Sequence, residues 1–507
     1  MLISRRRFAA LAACSGLAKM PLAALTARPR SKLLVLIIAE QFRSDYLDLF
    51  GNFFVAGGFR RLMEEGSYFP DCQIASSTFT SGGLATVATG AYPQVHGIVA
   101  DSWYDRQAGK AVSASLHGLE ATTLADQFAA ADTHNRVYSV GLNLRDASLL
   151  AGRSATGILH LDSEARIAGP GQLGTAKWLE DLSRQNDPDK LKNSGWFALG
   201  AHQGAPPLRT LTFDSAHSEE FFALYRASPF GQAAQFAAAQ ELVLQERLGQ
   251  SAGADFLAIA IGSPALLGYE VGSDSPLMRE LVLHLDRQVE GFLRTLDKSV
   301  GQNYSVVFTA AHGAPREADT GTARLAVPGE TVAQSINQAL SAQYDVAGRK
   351  DVYVERYVYP FLYLKLDRLR RSYVDLREAR VLAGRAALSV PGVAGFYTAD
   401  DESSHTGDWL RRFRNSFHAV RSGDVMLAYG PGYVEEYGAG RGVSYGSLYS
   451  YDSRVPLLLY GLGFSTEVFE NQVEAVDLAP TLARLAGTAF PSSTTGRVLA
   501  EALAPPG

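Results

Sequence analysis

The chain has 507 residues, of which 47% are hydrophobic and 20% are charged, a composition typical of globular proteins with a large buried core. The formal net charge is −5 and no block of like charge stands out, so we expect neither a nucleic-acid partner nor an anionic-membrane partner. The length is compatible with about two to four domains, or with one large α/β domain that carries insertions.

Residues 1–30 are predicted to be an export signal rather than part of the fold. Arg5–Arg7 and Phe8 precede a short, alanine-rich apolar run, and the paired arginines favour the twin-arginine route. An unstructured basic N-terminus is the alternative interpretation. The apolar run is too short for a membrane span, so we expect a periplasmic or extracellular protein with no transmembrane span after signal removal.

The two cysteines bear on how an exported protein would be anchored and stabilised. Leu11–Cys14 resembles a lipoprotein cleavage box, but the apolar run before Cys14 is short, which disfavours lipidation. The remaining cysteine, Cys72, cannot form an internal disulfide alone, so the exported protein must be stable without one.

Continuous branched-aliphatic runs predict strands that are buried on both faces, as in a parallel sheet covered by helices. Five such runs follow one another along the chain: Lys32–Ala39, Arg136–Val140, Phe256–Ile261, Ser305–Thr309 and Pro456–Tyr460. Stretches with helical spacing lie between them, which predicts a doubly wound α/β sheet.

The predicted helices include Phe59–Glu65 and Pro276–Leu296. The segment of about 153–250 is richer in polar residues and turns and is interpreted as an insertion, and a second insertion is expected at about 365–440. We therefore treat residues 31–507 as one α/β domain with two cap insertions.

Thr80 begins a helix-compatible stretch, Thr80-Ser81-Gly82-Gly83, that continues to Thr89. A hydroxyl at a helix N-terminus meets free backbone N–H groups, which suit an anion or an activated alkoxide. The simpler alternative is that Thr80 only caps the helix.

Several motifs recur in an order that resembles a known family. They are AEQFRSDYL, GGFRRLMEEGSYFPDC, TFTSGGLATVATG, YPQVHGIVADSWYDR, FTAAHGA, YDSRVPLLLYG and VDLAPTLARLAG. Together they resemble the alkaline phosphatase superfamily, in particular the branch of threonine-nucleophile zinc phosphomonoesterases related to nucleotide pyrophosphatase/phosphodiesterases. The resemblance implies a mixed sheet between helix layers with a cap insertion.

The resemblance also implies two zinc ions, one for the threonine alkoxide and one for the leaving oxygen. At the first zinc, the family's Asp after the first strand corresponds to Glu40, its Asp-His pair corresponds to Ala311 and His312, and the nucleophile corresponds to Thr80. This site keeps at most Glu40, His312 and Thr80, so a residual single-metal site is the most that we expect.

At the second zinc, all three positions that the resemblance implies have lost their ligands. The Asp position is Ala265, the His position four residues later is Tyr269, and the last His position is Tyr445. Alanine offers no donor, and a neutral tyrosine with a pKa near ~10 is a poor zinc ligand. We expect no zinc or one zinc, and not the two-zinc centre.

The phosphate-contact positions that the resemblance implies have changed as well. An Asn corresponds to Asp101, and a Lys-x-Arg pair corresponds to Asn143 and Arg145, of which only Arg145 keeps its charge. A carboxylate beside a phosphate dianion is repulsive by ~1–4 kcal/mol. Glu40 is expected to pair with Arg43 or Arg145, or to face water.

These substitutions favour a degenerate phosphatase, a pseudoenzyme whose pocket binds a small anionic ligand or a protein partner. The alternative is a hydrolase of phosphate or sulfate esters that uses Thr80 as the nucleophile with at most one metal. A third interpretation makes the chain a structural subunit of an active relative.

Overall fold

The computed structural model describes residues 30–316, 325–345, 352–435 and 445–505. The predicted export signal, with Cys14, lies outside the described residues apart from position 30. Within the described ranges, every helix is too short or too polar to cross a membrane.

Ten of the described strands form one large sheet. Numbered along the chain, the strands are β1 Leu33–Ala39, β2 Ser67–Gln73, β3 Ser102–Asp105, β4 Lys110–Ser113, β5 Arg136–Gly141, β6 Gly157–Leu161, β7 Ile167–Ala168, β8 Gly195–Trp196, β9 Arg209–Thr210, β10 Asp255–Ile261, β11 Tyr304–Ala310, β12 Leu325–Val327, β13 Val354–Val358, β14 Phe361–Leu364, β15 Val393–Thr398, β16 Val425–Tyr429, β17 Tyr433–Glu435, β18 Arg454–Gly461, β19 Glu467–Val468 and β20 Val473–Glu474. The order in the large sheet is β19-β2-β18-β11-β1-β10-β5-β6-β7, and β20 pairs with β2.

The centre of this sheet is parallel and its flank is mixed. Strand β1 lies between β10 and β11 and is parallel to both, and β5 and β6 continue the parallel run. Strand β18 is antiparallel to β11 and to β2. All seven residues of β1, LLVLIIA, are buried, as expected for a strand covered on both faces.

Helices cover both faces of the sheet. The described α-helices are α1 Tyr46–Phe50, α2 Phe59–Glu64, α3 Thr80–Thr89, α4 Pro93–His96, α5 Leu124–Ala131, α6 Leu144–Ala151, α7 Lys177–Gln185, α8 Ser218–Arg226, α9 Pro229–Gln245, α10 Ser263–Val271, α11 Pro276–Ser299, α12 Gly329–Tyr344, α13 Leu366–Arg371, α14 Leu376–Leu388, α15 Gly407–Ser416, α16 Ser450–Ser453 and α17 Leu478–Ala486. Helices α3, α5, α6 and α17 pack together in one layer, whereas α9, α10 and α11 pack in the other. The predicted fold, a mixed sheet between helix layers, is confirmed.

The two segments that were expected to be insertions differ in their placement. Residues 153–250 contribute β6 and β7 to the large sheet, and α9 packs against β5 and β10. The described part of 365–440 belongs to a smaller unit that begins earlier, near residue 325. In that unit the antiparallel strands β13-β14-β16-β15 and the helices α12 and α14 share a hydrophobic core of their own.

Candidate functional site

The candidate site lies where the central parallel strands end. Glu40 follows β1, Asn143 follows β5, Ser263 follows β10 and His312 follows β11. Because these strands run in the same direction, their carboxyl ends meet at one edge of the sheet. Strand β18 is antiparallel to β11 and begins at this edge, which brings the segment before it, with Tyr445, to the same place.

Thr80 and His312 are hydrogen-bonded to each other. Thr80 is the first residue of α3, and Phe79, not Thr80, occupies the N-cap position, so the interpretation of Thr80 as a helix cap is wrong. The Thr80 hydroxyl lies 2.9 Å from Nε2 of His312, and Nδ1 of His312 lies 2.9 Å from the Gly313 carbonyl oxygen. A carbonyl accepts only, so Nδ1 carries the proton and Nε2 accepts from the threonine.

The imidazole of His312 is held neutral. Burial lowers its pKa from 6.5 to about 4, although the hydrogen bond to Gly313 and the charge of Asp101 act in the opposite direction. The ring of Tyr445 stacks on the imidazole at a centroid distance of 4.4 Å. His312 is therefore enclosed between the start of α3 and an aromatic ring.

Glu40 is buried, and no ion pair joins it to another residue in the described ranges. Its Oε1 atom meets no hydrogen-bond partner, and burial, followed by the charge of Asp146, raises the pKa of Glu40 well above its ordinary value. The prediction that Glu40 pairs with Arg43 or Arg145 is wrong. Arg43 instead pairs with Asp45 and Asp274, and Arg145 pairs with Asp146. Burial therefore favours the protonated form of Glu40.

Asp101 binds the N-terminus of α3. Its Oδ1 atom accepts a hydrogen bond of 2.9 Å from the Ser81 backbone N–H and one of 2.6 Å from the Ser81 hydroxyl. A helix N-terminus is a ready anion site, because its first N–H groups have no partner within the helix. The chain's own carboxylate occupies a donor pair beside Thr80 that could otherwise hold an oxygen of a bound anion.

The two positions after β5 for which the resemblance implies phosphate contacts, Asn143 and Arg145, bind within the chain. Asn143 is the N-cap of α6, where its side-chain oxygen accepts from the Asp146 backbone N–H at 3.0 Å. The Arg145 guanidinium donates from Nε to Asp146 at 2.7 Å. Sequence reasoning missed Asp146, a buried carboxylate that contacts Asn143 and Arg145 and raises the pKa of Glu40. Its only sequence signal was its place directly after the Asn-Leu-Arg run.

The remaining positions for which the resemblance implies metal ligands hold small or aromatic side chains. Ala265 and Ala311 are buried, and neither has a donor side chain. Burial, and then the charge of Asp101, raise the pKa of Tyr445 well above its ordinary value, so its phenol stays protonated. Of the six donor positions that the resemblance implies, only Glu40 and His312 keep a donor.

The residues present do not fit a zinc centre. A zinc site in a protein takes three or four ligands, whereas only Glu40 and His312 keep a ligand side chain at the positions that the resemblance implies, and Nε2 of His312 is hydrogen-bonded to Thr80. In the part of the chain that the structure describes, no group of three or more His, Cys, Asp or Glu side chains comes together in a way that could hold a metal ion. We therefore assign no chemical step to a metal.

A cavity of about 300 Å³ opens beside Thr80. The described part of its lining is mostly aromatic and includes one carboxylate. The described lining residues are Phe79, Ala100, Asp101, Ser102, Tyr269, Tyr359 and Tyr445. Tyr359 comes from the smaller unit, between β13 and β14, so sequence reasoning could not place it here. Phe79 was passed over although it directly precedes Thr80.

The mixed sheet between helix layers, with a threonine at a helix start and a histidine after a parallel strand, places the chain in the alkaline phosphatase superfamily. The chain belongs to the type I phosphodiesterase / nucleotide pyrophosphatase family, which matches residues 34–447.

Similar proteins agree with this assignment. Alkaline phosphatase PafA of Elizabethkingia meningoseptica is 27% identical over 94% of this chain and 95% of its own, and alkaline phosphatase PhoV of Synechococcus elongatus is 26% identical over 94% and 93%. The crystal structure of PafA superposes with a TM-score of 0.83 at 26% identity, covering 94% of this chain and all of that one. Murine ectonucleotide pyrophosphatase / phosphodiesterase 5 shares the fold alone, with a TM-score of 0.57 at 13% identity over 93% and 99%.

Proposed function

We propose that this protein is a degenerate member of its family, a pseudoenzyme that binds a ligand at the former phosphate site and does not hydrolyse phosphate esters there. The observation that carries the proposal is the bond of Asp101 to the start of α3. The Asp101 carboxylate accepts hydrogen bonds from the Ser81 backbone N–H and hydroxyl. A phosphate oxygen that bound these two donors would have to displace the carboxylate and would then lie beside its negative charge.

The charge balance of the site supports the same conclusion. Arg145 keeps its positive charge at a position for which the resemblance implies a phosphate contact, but its guanidinium is already paired with Asp146. Phosphoryl transfer depends on positive groups that stabilise the charge developing on the phosphate oxygens. When the Arg145 guanidinium is paired with Asp146 and the helix N-terminus is occupied by Asp101, neither group supplies that stabilisation.

A hydrolase is the second candidate, and one observation favours it. Thr80 lies 2.9 Å from a neutral imidazole nitrogen that is oriented by a backbone carbonyl, which is the arrangement of a nucleophile with a general base. In this alternative Thr80 attacks a phosphate or sulfate ester and uses at most one metal. The low pKa of His312, about 4, makes the imidazole a weak base.

The test compares turnover by the wild type, Thr80→Ala and Thr80→Ser on p-nitrophenyl phosphate, bis-p-nitrophenyl phosphate and p-nitrophenyl sulfate. The proposal predicts that the wild type and Thr80→Ala are equally inactive with or without added zinc. Turnover that is lost in Thr80→Ala and kept in part in Thr80→Ser would establish the hydrolase instead.

We also propose, from residues 1–30, that the protein is exported to the periplasm or beyond. Replacement of Arg6 and Arg7 by Lys should retain the protein in the cytoplasmic fraction, whereas the wild type should appear in the periplasmic fraction. An unchanged distribution would reject the twin-arginine route. The expectation of a protein partner stays a prediction.

A further inference from the structure

We infer that the cavity beside Thr80 binds a small organic cation, an alkylammonium or quaternary ammonium group. This inference rests on the proposed function, because it takes the former phosphate site to have lost its affinity for anions. The inferred ligand is opposite in charge to the anion expected from the sequence. The inference is supported by the aromatic lining of the cavity and by the carboxylate of Asp101 within it.

The lining of the cavity is suited to a cation. Of the seven lining residues that the structure describes, four are aromatic, namely Phe79, Tyr269, Tyr359 and Tyr445. The faces of aromatic rings attract cations through the ring quadrupole, and sites built from several rings recognise quaternary ammonium groups. The volume of about 300 Å³ has room for such a group with a short chain attached.

Neighbouring groups hold these rings in place. Tyr359 stacks on Tyr429 at 4.6 Å, and Phe79 meets Tyr359 edge-on, with centroids 5.9 Å apart and planes at 66°. Tyr445 stacks on His312 at 4.4 Å. Three walls of the cavity are thus fixed before a ligand arrives, which lowers the entropic cost of binding.

The carboxylate of Asp101 is oriented in the same way. Its Oδ1 atom is held by the Ser81 backbone and hydroxyl, and among the described residues no hydrogen-bond donor meets its Oδ2 atom. The residue is partly exposed and lines the cavity. It therefore presents a negative charge to a ligand without needing to reorganise.

The charge that the described lining presents is negative. Asp101 is the one charged side chain among the lining residues that the structure describes. The nearby cation Arg145 is not among these lining residues and pairs with Asp146. Such a lining attracts an ammonium group and repels inorganic phosphate.

The experiment is a calorimetric titration of the mature protein with choline, with its neutral carbon analogue 3,3-dimethylbutan-1-ol, and with inorganic phosphate. The inference predicts that choline binds, that the neutral analogue binds at least about tenfold more weakly, and that phosphate does not bind. Equal binding of choline and the neutral analogue, or no binding of choline, would overturn it.

Two pairs of variants locate the site. Asp101→Asn keeps an oxygen that can accept from Ser81 but removes the charge, and it should weaken choline binding about tenfold or more, whereas the exposed Asp48→Asn should not change it. Tyr269→Leu should weaken binding, and Tyr269→Phe, which keeps the ring, should preserve it. Equal affinity in all four variants would place the cation elsewhere and overturn the assignment.

Two further comparisons distinguish failure of the cation site from failure of the proposed function, and a lipid headgroup from a free cation as the ligand. Absence of choline binding together with absence of ester hydrolysis rejects the cation site alone, whereas phosphate binding with Thr80-dependent hydrolysis rejects the proposed function as well. Co-sedimentation with phosphatidylcholine vesicles, compared with phosphatidylglycerol vesicles, distinguishes a lipid headgroup from a free cation. Choline binding without co-sedimentation assigns the site to a free cation.

Discussion

The buried, neutral state of His312 predicts a specific dependence of stability on pH. The perturbation is His312→Gln, which keeps an atom that can accept the Thr80 hydroxyl and removes the titrating ring. In the wild type, burial lowers the pKa of His312 to about 4, below the 6.5 of an accessible histidine. The unfolded chain therefore binds the proton first as the pH falls, so protonation favours unfolding.

The magnitude follows from these two pKa values. The pKa of His312 is 6.5 in the unfolded chain and about 4 in the folded protein. When the pH falls from about 8 to about 5, this difference lowers the unfolding free energy of the wild type by about 2 kcal/mol. The loss begins as the pH falls below 6.5 and is complete below about pH 4. His96, whose pKa burial lowers to about 3, contributes a similar loss but is present in both proteins and cancels.

The assay is urea unfolding of the wild type, His312→Gln and the exposed-site control His202→Gln at several pH values in that range. The wild type and the control should lose about 2 kcal/mol more than His312→Gln between the two ends of the range. Parallel pH dependences of all three proteins would refute a buried, neutral His312.

Three further predictions concern the positions for which the resemblance implies metal ligands. Ala311→Asp should lower the unfolding free energy by about 3–5 kcal/mol near neutral pH, because it buries an unpaired carboxylate. Urea unfolding should show a smaller loss for Ala311→Asn, and an equal loss in the two variants would contradict the reasoning. Glu40→Gln should stabilise the protein more at high pH than at low pH, because the raised pKa makes ionised Glu40 unfavourable when folded; urea midpoints that shift equally at both ends would argue otherwise. Chelation by EDTA should leave the thermal midpoint unchanged in differential scanning fluorimetry, and a clear drop would indicate a structural metal.

The strand ends were the part of the site that sequence reasoning could predict. Branched-aliphatic runs identified the central strands, and the direction of parallel strands then placed Glu40 and His312 at one edge. Thr80 followed from the motif at the start of α3. These residues lie in local sequence patterns, and the fold class determines where those patterns lie in the structure.

The partners of those residues could not be predicted in the same way. The expected ion pair of Glu40 is absent among the described residues because Arg145 pairs instead with Asp146, its neighbour in α6, a detail of local side-chain packing. Tyr359 reaches the cavity from the smaller unit, which is distant in sequence from the central strands. Asn143 was expected at a phosphate and instead caps α6, a role that depends on where the helix begins.

Zinc content measures the central claim most directly. The mature protein is soaked in zinc, desalted and subjected to elemental analysis, with an active alkaline phosphatase of the family treated in parallel. The account predicts close to zero zinc per chain, because only Glu40 and His312 keep a ligand side chain at the six positions that the resemblance implies, fewer than a zinc site needs. One or two zinc ions per chain, lost on substitution of His312 or Glu40, would contradict it.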